Sequence, residues 1–138
     1  MKEKFIGTWR LVHSIEIDEH GQKHYPFGDD AVGYIIYDAK GTMAVQITRR
    51  NRQAMNAKSL KTASVDELKQ AAGDYLAYFG QYTIDEENET VDHDLEGCLF
   101  PNRVGQILKR KYTFLEGNRL SLKPYNDGTN REILWEKV

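Results

Sequence analysis

In the stretch VDHDLEGCLFPN (Val91 to Asn102), Asp92, His93, Asp94 and Glu96 crowd three carboxylates and a histidine together. As residue types they could ligate a metal or pass a proton. The geometry of the element decides between those chemistries. In an extended strand successive side chains point to opposite faces. Asp92, Asp94 and Glu96 then share one face, while Val91, His93 and Leu95 share the other. The acids become a solvated outer row, expected to pair with Lys109 or Lys111 of a neighbouring strand. His93 is left alone between two apolar neighbours. There it serves as a polar contact, or as a proton donor or acceptor, because imidazole titrates near neutrality.

His13, between Leu11 and Ile15 on alternating positions, invites the same reading. No third ligand with suitable spacing accompanies the two histidines, so no metal site is assigned. His20 and His24 fall in a loop and read as solvated. Cys98 has no adjacent base or cation to activate it and reads as a structural thiol. Gly28-Asp29-Asp30 reads as a turn closed by Asp side chains. Phosphate-binding loops, dinucleotide-binding glycine motifs, serine-hydrolase elbows and zinc-protease motifs do not occur. No catalytic residue and no cofactor is assigned.

The elements that must hold these groups are mainly strands. Period-2 patterning covers Trp9 to Ile17, Ala31 to Tyr37, Thr42 to Thr48, Tyr78 to Ile84, Glu89 to Gly97, Gln106 to Leu115, Arg119 to Pro124 and Arg131 to Val138. Short turn-rich segments join them, including Asp38 to Gly41, Glu116 to Asn118 and Asn126 to Gly128. The pattern predicts an all-β fold: an antiparallel up-and-down barrel of about eight strands with one inserted α-helix. Ser64-Val65-Asp66-Glu67 is a capping box opening that helix. Val65, Leu68, Ala72, Tyr75 and Leu76 follow at helical spacing. The preceding segment from Arg49 to Ala63 carries five basic residues and no acid. It reads as a solvated loop, and loop plus helix together suit a lid over the barrel mouth.

Length and composition agree. The 138 residues fit one domain, 1–138, whose core needs no metal or disulfide. A formal charge of −2 gives no electrostatic reason to expect nucleic acid or an anionic membrane as partner. No apolar run reaches the roughly 20 residues that span a bilayer. The N-terminus lacks a signal-like apolar run. With a single cysteine, Cys98, the expectation is a cytoplasmic protein.

GTWRL (Gly7 to Leu11) places glycine where the chain must pass closely, and a tryptophan able to plug a barrel end. A cation over that indole is expected from Arg110 or Arg131. GTWRL, the segments Tyr25 to Ile47, Tyr75 to Asp85 and His93 to Gly105, and the terminal LWEKV resemble the small bacterial lipocalin-like domain across nearly the whole chain. Arg103 departs from that likeness, standing where many relatives carry an aromatic residue. The resemblance implies a calycin-type barrel with an internal cavity. Small barrels have room for packed side chains or for one small ligand.

By alternation, the cavity candidates are His13, Tyr34, Met43, Tyr82, His93, Arg110 and Tyr112. Gly7 and Trp9 are structural. In the second strand, Tyr34 and Ile36 or else Ile35 and Tyr37 point inward; in the third, Met43, Val45 and Ile47 or the set containing Gln46. The leading expectation is binding of a small, mostly hydrophobic molecule, by a monomer or homodimer. The alternatives are an isomerase- or cyclase-type enzyme using the same cavity, and a protein-interaction module.

Overall fold

Alternating hydrophobicity buries one face of each strand, and the chain curls until its first and last long strands meet. A computed structural model describes residues 1–126 and 128–138. Its strands are β1 (Gly7–Ile17), β2 (Lys23–His24), β3 (Val32–Tyr37), β4 (Thr42–Thr48), β5 (Tyr75–Asp85), β6 (Thr90–Cys98), β7 (Ile107–Leu115), β8 (Arg119–Pro124) and β9 (Arg131–Lys137). β1 pairs antiparallel with β3, each strand from β3 to β9 pairs antiparallel with the next, and β9 pairs with β1, so β1 and β3–β9 form a closed eight-stranded barrel. The two-residue β2 lies beside the end of β1 that runs past β3. Closure leaves the eight strands without the free edges that invite aggregation. The turn expected over Asn126 to Gly128 includes Asp127, which lies outside the described residues.

Two bulges adjust the alternation. One lies between Leu11 and His13 in β1, the other between Phe79 and Gly80 in β5. At Gly80 the sheet is so close that a Cβ would run into the Asp94 carbonyl. Only glycine fits there.

A short helix, α1 (Lys2–Phe5), closes one end of the barrel. Gly7 has a φ of 135°, a left-handed value that glycine tolerates, and this turn carries Phe5 under the strands. Phe5 is fully buried and meets the rings of Tyr37, Tyr112 and Phe114 edge-on, with centroids 5.0–5.4 Å apart. The Trp9 indole donates to the Phe5 carbonyl at 2.8 Å. The cation over the indole is Lys137, at 5.1 Å. Neither Arg110 nor Arg131 reaches it. Because β9 runs antiparallel to β1, its last residues oppose Trp9, and Arg131 sits opposite Glu16 at the other end.

The second helix, α2 (Val65–Gly73), has the expected capping box of Ser64 and Glu67. It ends earlier than the helical spacing suggests. Tyr75 and Leu76 belong to β5, paired with Thr48 and Ile47 of β4. None of its residues is buried, and Val65 is 78% exposed. It therefore flanks the open end and does not cap it. Basic residues of the preceding loop fasten its C-terminus. Arg49 bridges to Asp74 at 2.9 Å, and Arg52 donates to the Ala71 carbonyl, one of the last-turn acceptors a helix leaves unmade.

Candidate functional site

The site is built where β5, β6 and β7 turn their inner faces toward one another above the aromatic plug. Tyr82 pairs with His93, and Arg110 with Val91, so these residues share the interior face with Leu95 and Tyr112. The VDHDLEG alternation therefore holds. His93 is wholly buried, and Asp92 points out to Lys109, 2.8 Å away. Lys111 takes Glu89 instead.

His93 is clasped at both nitrogens. The Tyr37 hydroxyl lies 2.7 Å from Nε2, and the Tyr78 hydroxyl 2.8 Å from Nδ1. Burial, aided by the Arg110 charge, lowers the His93 pKa from 6.5 to about 3, so the ring is neutral and carries one N–H. Burial raises both tyrosines; at Tyr78 it is opposed by the Arg110 guanidinium beside the hydroxyl and by the charge of Arg103.

Donor accounting fixes the direction of these bonds. The two tyrosines differ in access: the Tyr37 hydroxyl, 1% exposed, has no side-chain acceptor besides His93 among the described residues, whereas Tyr78 lines an open groove where an acceptor from outside the protein can reach it, so Tyr37 donates to Nε2. Nδ1–H then donates to the Tyr78 oxygen. Arg110 is a donor only. The Tyr78 O–H is thus left without a protein acceptor among the described residues.

Tyr78 also lines an apolar groove of about 410 Å³ at the open end of the barrel, with Phe27, Leu76, Cys98, Leu99, Phe100 and Arg103 among its walls. The C-terminal residues of α2, Ala72 and Gly73, form its far side. Cys98 is half-buried and unpaired.

The other candidates divide cleanly. Met43, Tyr82 and Tyr112 face the interior and are buried with the aromatic core; Tyr82 donates to the Asp38 carbonyl at 2.6 Å. In β3 it is Ile35 and Tyr37 that point inward, and in β4 Met43, Val45 and Ile47. Tyr34 is on the outside, 45% exposed, beneath Arg10. The inner position three residues on, Tyr37's, is the one that reaches His93.

His13 is also outside. The β1 bulge inserts one residue after Leu11, so Leu11 opposes the inward Trp135 while His13 opposes Leu134 on the outer face. There His13 Nε2 lies 2.8 Å from Glu132, which accepts a 2.6 Å bond from Ser121. Burial pushes Glu132 up, but these two bonds outweigh it and hold the carboxyl below its usual range. Serine, histidine and acid are present, but the acid sits between the other two. The histidine cannot take the serine proton, so this is a bracing network and no nucleophile system. No group of three or more potential metal ligands occurs among the described residues.

Fold and site together define a closed antiparallel β-barrel, plugged at one end, with a polar cluster beneath an apolar opening at the other. The family model of the lipocalin-like domain matches residues 6–138, and the chain belongs to that family. Among solved structures it is similar to a redesigned beta barrel, with 15% identity over 99% of this chain and 94% of that chain and a TM-score of 0.48. No curated protein matches it in sequence. No helix among the described residues is long and apolar enough to cross a membrane.

Proposed function

We propose that the protein binds a small, mostly hydrophobic molecule at the open end of its barrel. The observation that carries this is the groove of about 410 Å³, walled by Phe27, Leu76, Leu99 and Phe100, with Tyr78 reaching from it to the buried His93. Ligand sites are typically apolar concavities of about 300–1,000 Å³ with few orienting polar groups. The lower barrel is filled by aromatic side chains, so the ligand occupies the mouth and not the whole interior. The reading takes residues 1–138 as one cytoplasmic domain acting without a cofactor. Native mass spectrometry of protein purified without denaturation tests it: a retained small molecule that is lost in Leu76→Trp, a groove-filling variant, is the expected result. Identical masses for both proteins would count against it.

A catalytic reading, an isomerase or cyclase acting in the same place, would have to move its proton through Tyr78, because both His93 nitrogens are occupied. A separate observation supports an interaction surface. On the outer face Ile36 pairs with Ala44, and Ala44 with Phe79, giving an apolar row in which Ile36 is 45% and Phe79 52% exposed. Light scattering of wild type against Phe79→Ser reads whether that row joins two copies.

A further inference from the structure

We infer that the molecule bound at the open end carries an anionic head group, a carboxylate, seated between Arg110 and Arg103 and accepting a hydrogen bond from Tyr78. This rests on the binding reading above and specifies its ligand.

The first argument is charge. Four other arginines meet acids, Arg49 with Asp74, Arg50 with Asp30, Arg119 with Glu136 and Arg131 with Glu16, and the two others without an acid partner, Arg10 and Arg52, are exposed to solvent. Arg110 and Arg103 have no carboxylate within salt-bridge distance among the described residues, although the protein as a whole is acidic, with a formal charge of −2. Both are partly buried. Arg110 lies on the interior face, opposite fully buried Val91 and one step along from Tyr112. An unpaired guanidinium against a barrel interior costs stability and is relieved by an anion.

The second argument is the donor inventory, which does not depend on charge. Tyr37 donates to His93, and His93 donates to Tyr78, so the Tyr78 O–H emerges as a free donor beside a guanidinium that can only donate. A ligand that complements this pair must accept from both. A carboxylate does so with two oxygens and no proton, and guanidinium fits it in a forked, two-bond geometry. An ammonium would meet like charge and a donor facing a donor. An alcohol would satisfy Tyr78 and leave both arginines uncompensated.

The third argument is shape. Tyr78 and Arg103 both line the groove whose remaining walls are Phe27, Leu76, Leu99 and Phe100. An acid with an alkyl or aryl body can place its head at the arginines and its body along these side chains. Arg103 also stacks over Phe100 at 6.0 Å, holding its charge at the rim.

Isothermal titration of the intact protein with decanoate, decanol and decylamine tests the assignment. Wild type should bind decanoate about tenfold or more tighter than decanol, the scale of one charge-assisted bond, and decylamine weakest. Arg110→Gln should erase that preference while leaving the decanol affinity in place. Arg103→Gln, a change in a surface turn that spares the fold if Arg110→Gln does not, should erase part of it. Equal binding of decanoate and decanol by wild type, or an acid preference that survives both variants, would overturn the carboxylate assignment and leave the groove reading standing. Failure of both decanoate and decanol to bind wild type would overturn the two together.

Discussion

The two ends of the barrel are made from the same residue types put to opposite uses. At the closed end, Phe5, Tyr37, Tyr112 and Phe114 interlock edge to face beside the tilted ring of Trp9, and α1 seals them from below. At the open end, Phe27, Leu76, Leu99 and Phe100 stand apart around a groove, over a polar relay and two unpaired arginines. Aromatic side chains that meet one another stabilise; aromatic side chains that face an opening leave surface for a guest. On the proposed reading stability resides at one end and recognition at the other, and that division can be broken.

The largest effect should come from the plug. Trp9→Ala removes a fully packed indole and is expected to cost about 3–5 kcal/mol in urea unfolding. Leu99→Ala at the rim should stay within about 0.5 kcal/mol. Comparable losses at both ends would abolish the distinction.

Two tyrosines sharpen it next. Tyr78→Phe strands the buried His93 N–H and should cost about 1–3 kcal/mol. The Tyr112 hydroxyl is buried without a partner among the described residues, so Tyr112→Phe should be neutral or slightly stabilising. The same atom deleted from two inward tyrosines then gives opposite outcomes, read by thermal and urea unfolding.

Acid should act through His93. Folded His93 stays unprotonated down to about pH 3, whereas its ordinary value is 6.5. Between those values the unfolded chain binds more protons, so stability rises with pH; it is fully present above 6.5 and is lost as pH falls. The loss from this one group should be roughly 1 kcal/mol per pH unit. In His93→Gln the slope between pH 6 and 4 should be shallower by that amount. An unchanged slope would mean that the relay is solvated. Smaller than the loss of the indole itself, Lys137→Met removes a cation from the Trp9 face and should cost about 0.5–1 kcal/mol, reduced little by salt.

Alternation alone placed His93 inside and its three acidic neighbours outside, because β6 is regular across Val91 to Leu95. It failed for His13, since one inserted residue in β1 turns the following side chain outward, and nothing in Leu-Val-His announces a bulge. It could not choose between Tyr34 and Tyr37 because VGYIIY is apolar on both faces; the choice rests on which face meets the core. Phe5 went unnoticed ahead of Gly-x-Trp, although a glycine just before a strand is where a chain can fold back. Tyr78 became central only when pairing put its hydroxyl beside His93 and Arg110. Those contacts join three strands, and no local spacing encodes them.

The seam between β1 and β9 has a consequence for how the molecule comes into being. Every other ring contact joins strands adjacent in the sequence, apart from the short β2, and closes a shorter stretch of chain. The seam joins the two strands farthest apart, so its loop-closure cost falls last and sets a slow step. Until β9 has left the ribosome, β1 and β8 both present open edges. A nascent chain stalled before Arg131 should therefore be sensitive to protease and prone to edge-to-edge association, and release of the final strand should end both at once.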